Sequence, residues 1–258
     1  MKAHLVSQVL LRRFTKNNQI KVNSLITNKN GLANPKRIGY IEVPEEIFSS
    51  VEHKYGYTET RAASAFPYLD DGTLLKHEKH KESIKKLMSL HFVRSQALMQ
   101  LFSTSQEEQF KKLIEDAQRD HPDKADDIIK SIPALKQKWQ IDLIKKIPGM
   151  IKKNITKVEK YVNQFDIEIG VAPDDVNFIL GDNPTINISE DGKIGVLAGV
   201  AITNSSSFLM PLSPKHLVAL ITKNNSSHYK PLSSKTVGNF NAKVLSQCLR
   251  EYYTLPEK

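Results

Sequence analysis

The chain has 258 residues, with 37 lysines and arginines against 28 acidic residues, a formal net charge of +9, one cysteine and 11 glycines. One cysteine excludes a disulfide scaffold or a cysteine-rich zinc module, and the length is enough to bury a real core. The longest near-apolar run, Ile194 to Ile202, covers nine residues against the roughly 20 needed to span a bilayer, so a soluble, cytoplasmic protein with a reduced Cys248 is expected.

Along the first 45 residues, short apolar runs (Leu5 to Leu11, Ile20 to Ile26, Ile38 to Val43) alternate with turn formers such as Asn28, Gly31, Asn34 and Pro35. This pattern predicts strands joined by turns. The first run is broken by Ser7 and Gln8 and followed by Arg12 and Arg13, which suits a first structural element rather than a signal peptide. Thr58 to Leu69 has a helical pattern ended by Asp70, Asp71 and Gly72.

From Leu74 to Phe102 the apolar positions fall on more than one stripe, which predicts a buried central helix. Helices over Gln106 to Arg119, Asp123 to Lys130 and Leu135 to Tyr161 would follow, the last kinked or split at Pro148 and Gly149. After Val162 the period changes to two: Phe165, Ile167, Ile169 and Val171 read as a half-buried strand. Phe178 to Leu180, Thr185 to Ile188, Ile194 to Ile202, Phe208 to Leu212 and Leu217 to Thr222 are further strand candidates, and Ser234 to Tyr253 returns to helix. The expected architecture is a single α+β domain over 1–258, with N-terminal strands, a helical middle, and a C-terminal antiparallel sheet covered by a final helix. The middle, 74–163, is readable as an insertion between two parts of one sheet.

Charge is unevenly placed. Nine lysines lie between Ile128 and Tyr161 against only Asp142 and Glu159, whereas Phe165 to Asp191 holds seven acidic residues and no lysine or arginine. A lysine-rich helix attracts polyanions by releasing their counterions, which makes RNA or DNA the first partner to test. The same run also suits a solvated helix face. Trp139 and Tyr161 are the only aromatic residues there, so phosphate tracking fits better than base stacking.

No Gly-rich phosphate loop and no Gly-x-Ser-x-Gly elbow occurs. His77, Glu78, His80 and Glu82 have partial metal-ligand spacing, but Lys79 and Lys81 crowd them. The turn Gly181-Asp182-Asn183-Pro184 can be read as a plain turn whose carboxylate accepts backbone N–H groups, or as an Asp placed to hold a metal or orient a histidine. His91 and Arg94, three apart in an apolar helix, are less usual. A buried cation requires compensation, so Arg94 predicts either a nearby carboxylate or a pocket for an anionic ligand.

These landmarks resemble, in order, those of the prokaryotic domain-of-unknown-function family DUF4238. The family's opening pattern of the type His-x-Val-Pro-x-Phe-x-Leu-Arg-x-Phe is similar to His4 to Phe14, with Ser7 in place of the Pro and Val9 in place of the Phe. A Glu-led helix is matched by Glu59, a helix with a central Arg by Arg94, the Asp-Asn-Pro turn by Asp182 to Pro184, a Pro-Leu-Ser-Pro segment by Pro211 to Pro214, and a late Asn by Asn241.

The resemblance supplies positions more than function; the polar residues at them, which a merely structural protein would seldom need in its strands and core, suggest a composite site with His4, Glu59, Arg94 and Asp182 as catalytic residues. His4 would be general acid or base, Asp182 would orient it or hold a cation, and Arg94 would stabilise a developing phosphorane. Arg12, Asn183, Asn241, Lys145, Lys146, Lys152 and Lys153 are the candidate substrate-binding residues, and a divalent metal is the candidate cofactor. The expected function is a nuclease-like hydrolase of phosphodiester bonds in an accessory, toxin or phage-defence role. The alternatives are a non-catalytic nucleic-acid-binding module, or a toxin, antitoxin or sensor acting through a protein partner. Oligomeric state is not legible.

Overall fold

The computed structural model describes residues 2–42, 45–222 and 228–256. The chain begins with β1 (Lys2–His4) and a short helix α1 (Gln8–Leu11), continues through β2 (Ile20–Ser24), β3 (Asn30–Ala33) and β4 (Tyr40–Glu42), and then turns helical. The helices are α2 (Glu45–Ala63), α3 (Phe66–Asp70), α4 (Glu78–Val93), α5 (Gln96–Asp120) and α6 (Ala125–Val162). Strands β5 (Phe165–Val171), β6 (Leu180–Gly181), β7 (Ile186–Ser189), β8 (Ser205–Pro211), β9 (His216–Thr222) and β10 (Tyr229–Pro231) follow, with α7 (Ser234–Gln247) and β11 (Glu251–Thr254) at the end. The α+β class is as expected, with these differences in detail.

Leu5 to Leu11 is not a strand. Val6, Leu10 and Phe14 are all fully buried at a spacing of four, a helical repeat rather than an alternating one. The corner before α1 is held by Gly39, whose carbonyl accepts the N–H groups of Leu5 (2.8 Å) and Val6 (3.1 Å). Gly39 has φ +66°, and a Cβ there would stand 3.2 Å from Leu11 Cδ1 and 3.3 Å from Val6 Cβ. Glycine is the residue that fits.

The central helix is interrupted at Arg94 and Ser95, dividing it into α4 and α5. Ser95 is extended (φ −62°, ψ 145°) and its Oγ accepts the N–H of Leu98, the N-cap arrangement that starts a new helix. Conversely, the two helices expected between Asp123 and Tyr161 are one. α6 runs through Pro133 and Pro148 without a break in its assignment. Each proline removes one backbone donor, while the apolar stripe Ile151, Val158 and Val162 keeps the helix packed in the main core.

A five-stranded sheet has the order β10-β5-β9-β8-β7, antiparallel except for the parallel edge pair β10-β5. One face carries Phe165, Ile167, Ile169, Phe208, Met210, Val218 and Leu220 into the main core shared with α4 and α6. The opposite face joins Leu217 and Ile186 to a smaller core under α7, where Val237, Phe240 and Val244 form a 3-4 stripe. A second sheet, β3-β2-β11-β6, joins strands from the two ends of the chain around the helical middle. The expected strand at Ile194 to Ile202 is instead two 3-10 turns at Val196–Ala198 and Ile202–Asn204, and the expected C-terminal helix stops at Gln247 to release β11.

Candidate functional site

Five elements bring a set of polar side chains into the main core. β1 and the residue capping α1 supply His4 and Ser7. One face of α2 supplies Glu52, Tyr55 and Glu59, spaced three and four apart. The end of α4 supplies His91 and, immediately after it, Arg94. Gln96 opens α5.

Arg94 is the hub. Its Nη2 donates to Glu59 Oε1 at 2.6 Å and to Ser7 Oγ at 3.1 Å, and Ser7 Oγ lies 2.5 Å from His91 Nε2. The guanidinium carbon sits 5.3 Å from the centre of the Tyr55 ring, within cation–π range. Arg94 is only 2% exposed, yet among the described residues its Nε and Nη1 have no hydrogen-bond partner, nor do the buried His4 Nε2, Tyr55 hydroxyl and Gln96 Oε1.

The electrostatics follow from burial beside that cation. His4 is held below the ordinary histidine range by burial, with Arg94 acting in the same direction. His91, fully buried, is pushed well below it for the same two reasons. Glu52 moves the other way: burial raises its carboxyl, and the nearby Glu59 adds to this against the pull of Arg94. Burial also raises the Tyr55 phenol. A histidine shifted toward its neutral form and a carboxyl shifted toward its protonated form therefore lie beside the same arginine.

His4, Glu59 and Arg94 are thus brought together, whereas Asp182 serves another purpose. Its carboxylate accepts the backbone N–H groups of Leu249 (3.1 Å), Arg250 (2.7 Å) and Glu251 (3.3 Å), fixing the turn into β11. Burial raises this carboxyl against the pull of those donors. No bond joins it to His4 among the described residues. It borders, with Leu5, Val6 and Gln96, a cavity of about 10 Å³, room for about one water. Beside it lies Cys248, whose thiol burial and the Asp182 charge push up to about 12, far from the range of a reactive thiolate.

The other candidates are placed as follows. Asn183 caps α5 from a distance: its Oδ1 accepts the N–H of Ala97 (2.9 Å) and its Nδ2 donates to the carbonyl of Gln247 (2.6 Å). Asn241 accepts from Ile179 N and donates to the carbonyl of Asn177, clamping the segment before β6. Both amides are used in holding the fold. Arg12 is exposed, while its neighbour Arg13 donates to both carboxylate oxygens of Asp70, at 2.6 and 2.5 Å. Lys145, Lys146, Lys152 and Lys153 are exposed on α6.

His77 and His80 pack their rings against Tyr68 at 4.5 and 4.3 Å, and Glu78 and Glu82 pair with Lys81 and Lys86. Among the described residues, no group of three or more His, Cys, Asp or Glu side chains is placed to hold a metal ion. Nor does any described helix have the length and apolarity to cross a membrane.

Sequence reasoning missed Ser7, Glu52, Tyr55 and Gln96. The signal for two of them was present, since Glu52 and Tyr55 lie seven and four residues before Glu59 and so share its helix face.

The family model described as Protein of unknown function (DUF4238) matches residues 2–258. No curated protein and no solved structure matches the chain.

Proposed function

The chain belongs to the DUF4238 family, and we propose that it is a nuclease-like enzyme that processes RNA or DNA at a centre built on His4, Glu59 and Arg94, with Glu52 as a fourth member. The observation that carries this reading is the state of Arg94, a cation 2% exposed whose Nε and Nη1 are without partners among the described residues. Leaving a buried donor unpaired costs about 1–3 kcal/mol. Two such donors on one planar fork suit the oxygens of a phosphate.

The proton-handling groups beside it are matched to the task. His4 is shifted by burial toward its neutral form, and its buried Nε2 is without a partner among the described residues. It would take the proton of the attacking hydroxyl, from water or a ribose. Glu52, its carboxyl raised, would give a proton to the departing oxygen. A basic group shifted down and an acidic group shifted up form the pairing that general acid–base catalysis uses. Arg94 would hold the charge of the phosphorane, and Glu59 keeps its guanidinium in place. The lysine face of α6 would track the backbone. An accessory, toxin or phage-defence role and a cytoplasmic location belong to the same proposal.

A second reading, a non-catalytic binding module or a sensor acting through a protein partner, draws support from the closed character of the centre, where the Arg94 side chain is 2% exposed and that of Glu59 16%. End-labelled single-stranded RNA, single-stranded DNA and duplex DNA, incubated with the purified chain with and without Mg²⁺ or Mn²⁺, separate the two. Cleavage that His4→Ala and Arg94→Lys both abolish in folded protein supports the enzyme. Intact substrates throughout, or cleavage that survives both substitutions, would leave the binding reading.

A further inference from the structure

We propose that a second cavity, of about 350 Å³, binds a small amphipathic carboxylate: an acyl chain in the cavity with its anionic head at the mouth. The volume falls within the range of small-molecule sites. Phe92 and Val93 at the end of α4, Leu98 and Leu101 at the start of α5, Val158 of α6 and the turns from Val196 to Ile202 form its walls. Among the described lining side chains, those of Asn154 and Lys157 alone are polar.

This wall composition selects the ligand. Apolar walls open to solvent favour a hydrocarbon guest in proportion to the area it covers, and Leu101 is left 39% exposed at this place. Lys157 is exposed, so its stem can lie along the cavity while its ammonium stays in water at the mouth. Lys153, one helical turn earlier and also exposed, adds positive charge on the same side. A cationic head would meet repulsion there, and a neutral one would leave Lys157 unused. Asn154, half-buried in the lining, offers an amide donor to the second carboxylate oxygen. The site is independent of the phosphodiester chemistry proposed above.

Titration calorimetry with hexanoate, octanoate and decanoate tests the assignment, with octanol and octyltrimethylammonium as head-group controls. Saturable one-to-one binding is expected, with affinity rising about fourfold per methylene, the factor that about 0.8 kcal/mol corresponds to. Lys157→Gln should weaken octanoate at least severalfold and leave octanol unchanged. Leu98→Trp should abolish binding of every chain by filling the cavity. Should that variant not fold, Ala201→Trp closes the mouth from an exposed position and serves instead. Absence of saturable heat with all three carboxylates overturns the proposal. So does octyltrimethylammonium binding as tightly as octanoate, or octanoate binding undiminished in the filled variant.

Discussion

Glu59 Oε1 and Arg94 Nη2 stand 2.6 Å apart, joining α2 to the break between α4 and α5. The arginine side chain is 2% exposed and the carboxylate 16%, so water cannot relieve the arginine's charge without opening the core. Removing one partner of a buried pair costs about 3–5 kcal/mol, because the other charge stays behind. Glu59 retains some access to solvent, which places Glu59→Gln at about 2 kcal/mol of lost stability, and Arg94→Met at a similar cost. The double variant should lose less than the sum of the two by about 1 kcal/mol or more. Urea denaturation of the four proteins gives the coupling directly, and strict additivity would show that the pair contributes nothing.

Asp182→Asn should act on stability, not on chemistry. An amide offers one acceptor oxygen where the carboxylate uses two, and its NH₂ would face a backbone donor. With Leu249, Arg250 and Glu251 all donating to this 4% exposed group, the expected loss is about 1–3 kcal/mol. Hydrogen exchange should quicken first at residues 249–251. Any nuclease activity per folded molecule should stay at the wild-type value. A variant with unchanged stability and no activity would return Asp182 to the reaction centre.

Periodicity made much of this fold legible. The alternation in Phe165 to Val171 becomes β5, and the Gly181-Asp182-Asn183-Pro184 segment becomes a turn that organises its surroundings. What local patterns could not show is long-range pairing. Ser95 interrupts an apolar run that reads as continuous helix, and the second helix starts there with help from Asn183, which lies 86 residues away and caps Ala97. β2 and β11 pair across almost the whole chain, and β11 is short enough to be absorbed into a helical reading of the C-terminus. Of the site, the carboxylate that Arg94 required was inferable from the cost of burying a cation. Ser7 was not, because its value lies in standing between His91 and Arg94, which are distant from it in sequence.

His91 should make the protein acid-sensitive. Its pKa is lowered on folding by burial and by Arg94, so at pH values below about 6.5 the unfolded chain binds a proton that the native state refuses. This contribution is complete above the unfolded pKa and is lost as pH falls, at up to about 1.4 kcal/mol per pH unit. Glu52 and Asp182, both raised, take up protons in the native state and oppose the trend at lower pH. The discriminating quantity is therefore the difference between wild type and His91→Gln. The wild type should lose more stability than the variant between pH 7 and pH 5.5 in urea titrations; parallel losses would mean that His91 protonates freely in the folded protein.

The lysine face of α6 supplies the remaining prediction. Ile151, Val158 and Val162 hold one side of the helix in the core, while Lys145, Lys146, Lys152 and Lys153 point to solvent. Reversing all four to glutamate therefore changes the charge offered to a polyanion without touching the packed side, and stability should shift by no more than about 0.5 kcal/mol. Binding to duplex DNA or mixed-sequence RNA should respond strongly. Each phosphate neutralised on a duplex contributes about 0.9 to the slope of log affinity against log salt. If these lysines make the contacts, the wild type should show a slope of about −3 to −4, and the quadruple glutamate variant should lose measurable retention on filters at low salt. Individual substitutions should each remove about one unit of slope, uniformly across sequences, because contacts to the backbone carry no base information. A wild-type protein that is not retained even at low salt, or a quadruple variant retained as well as the wild type, would leave α6 as a solvated face and take the backbone-tracking role away from it.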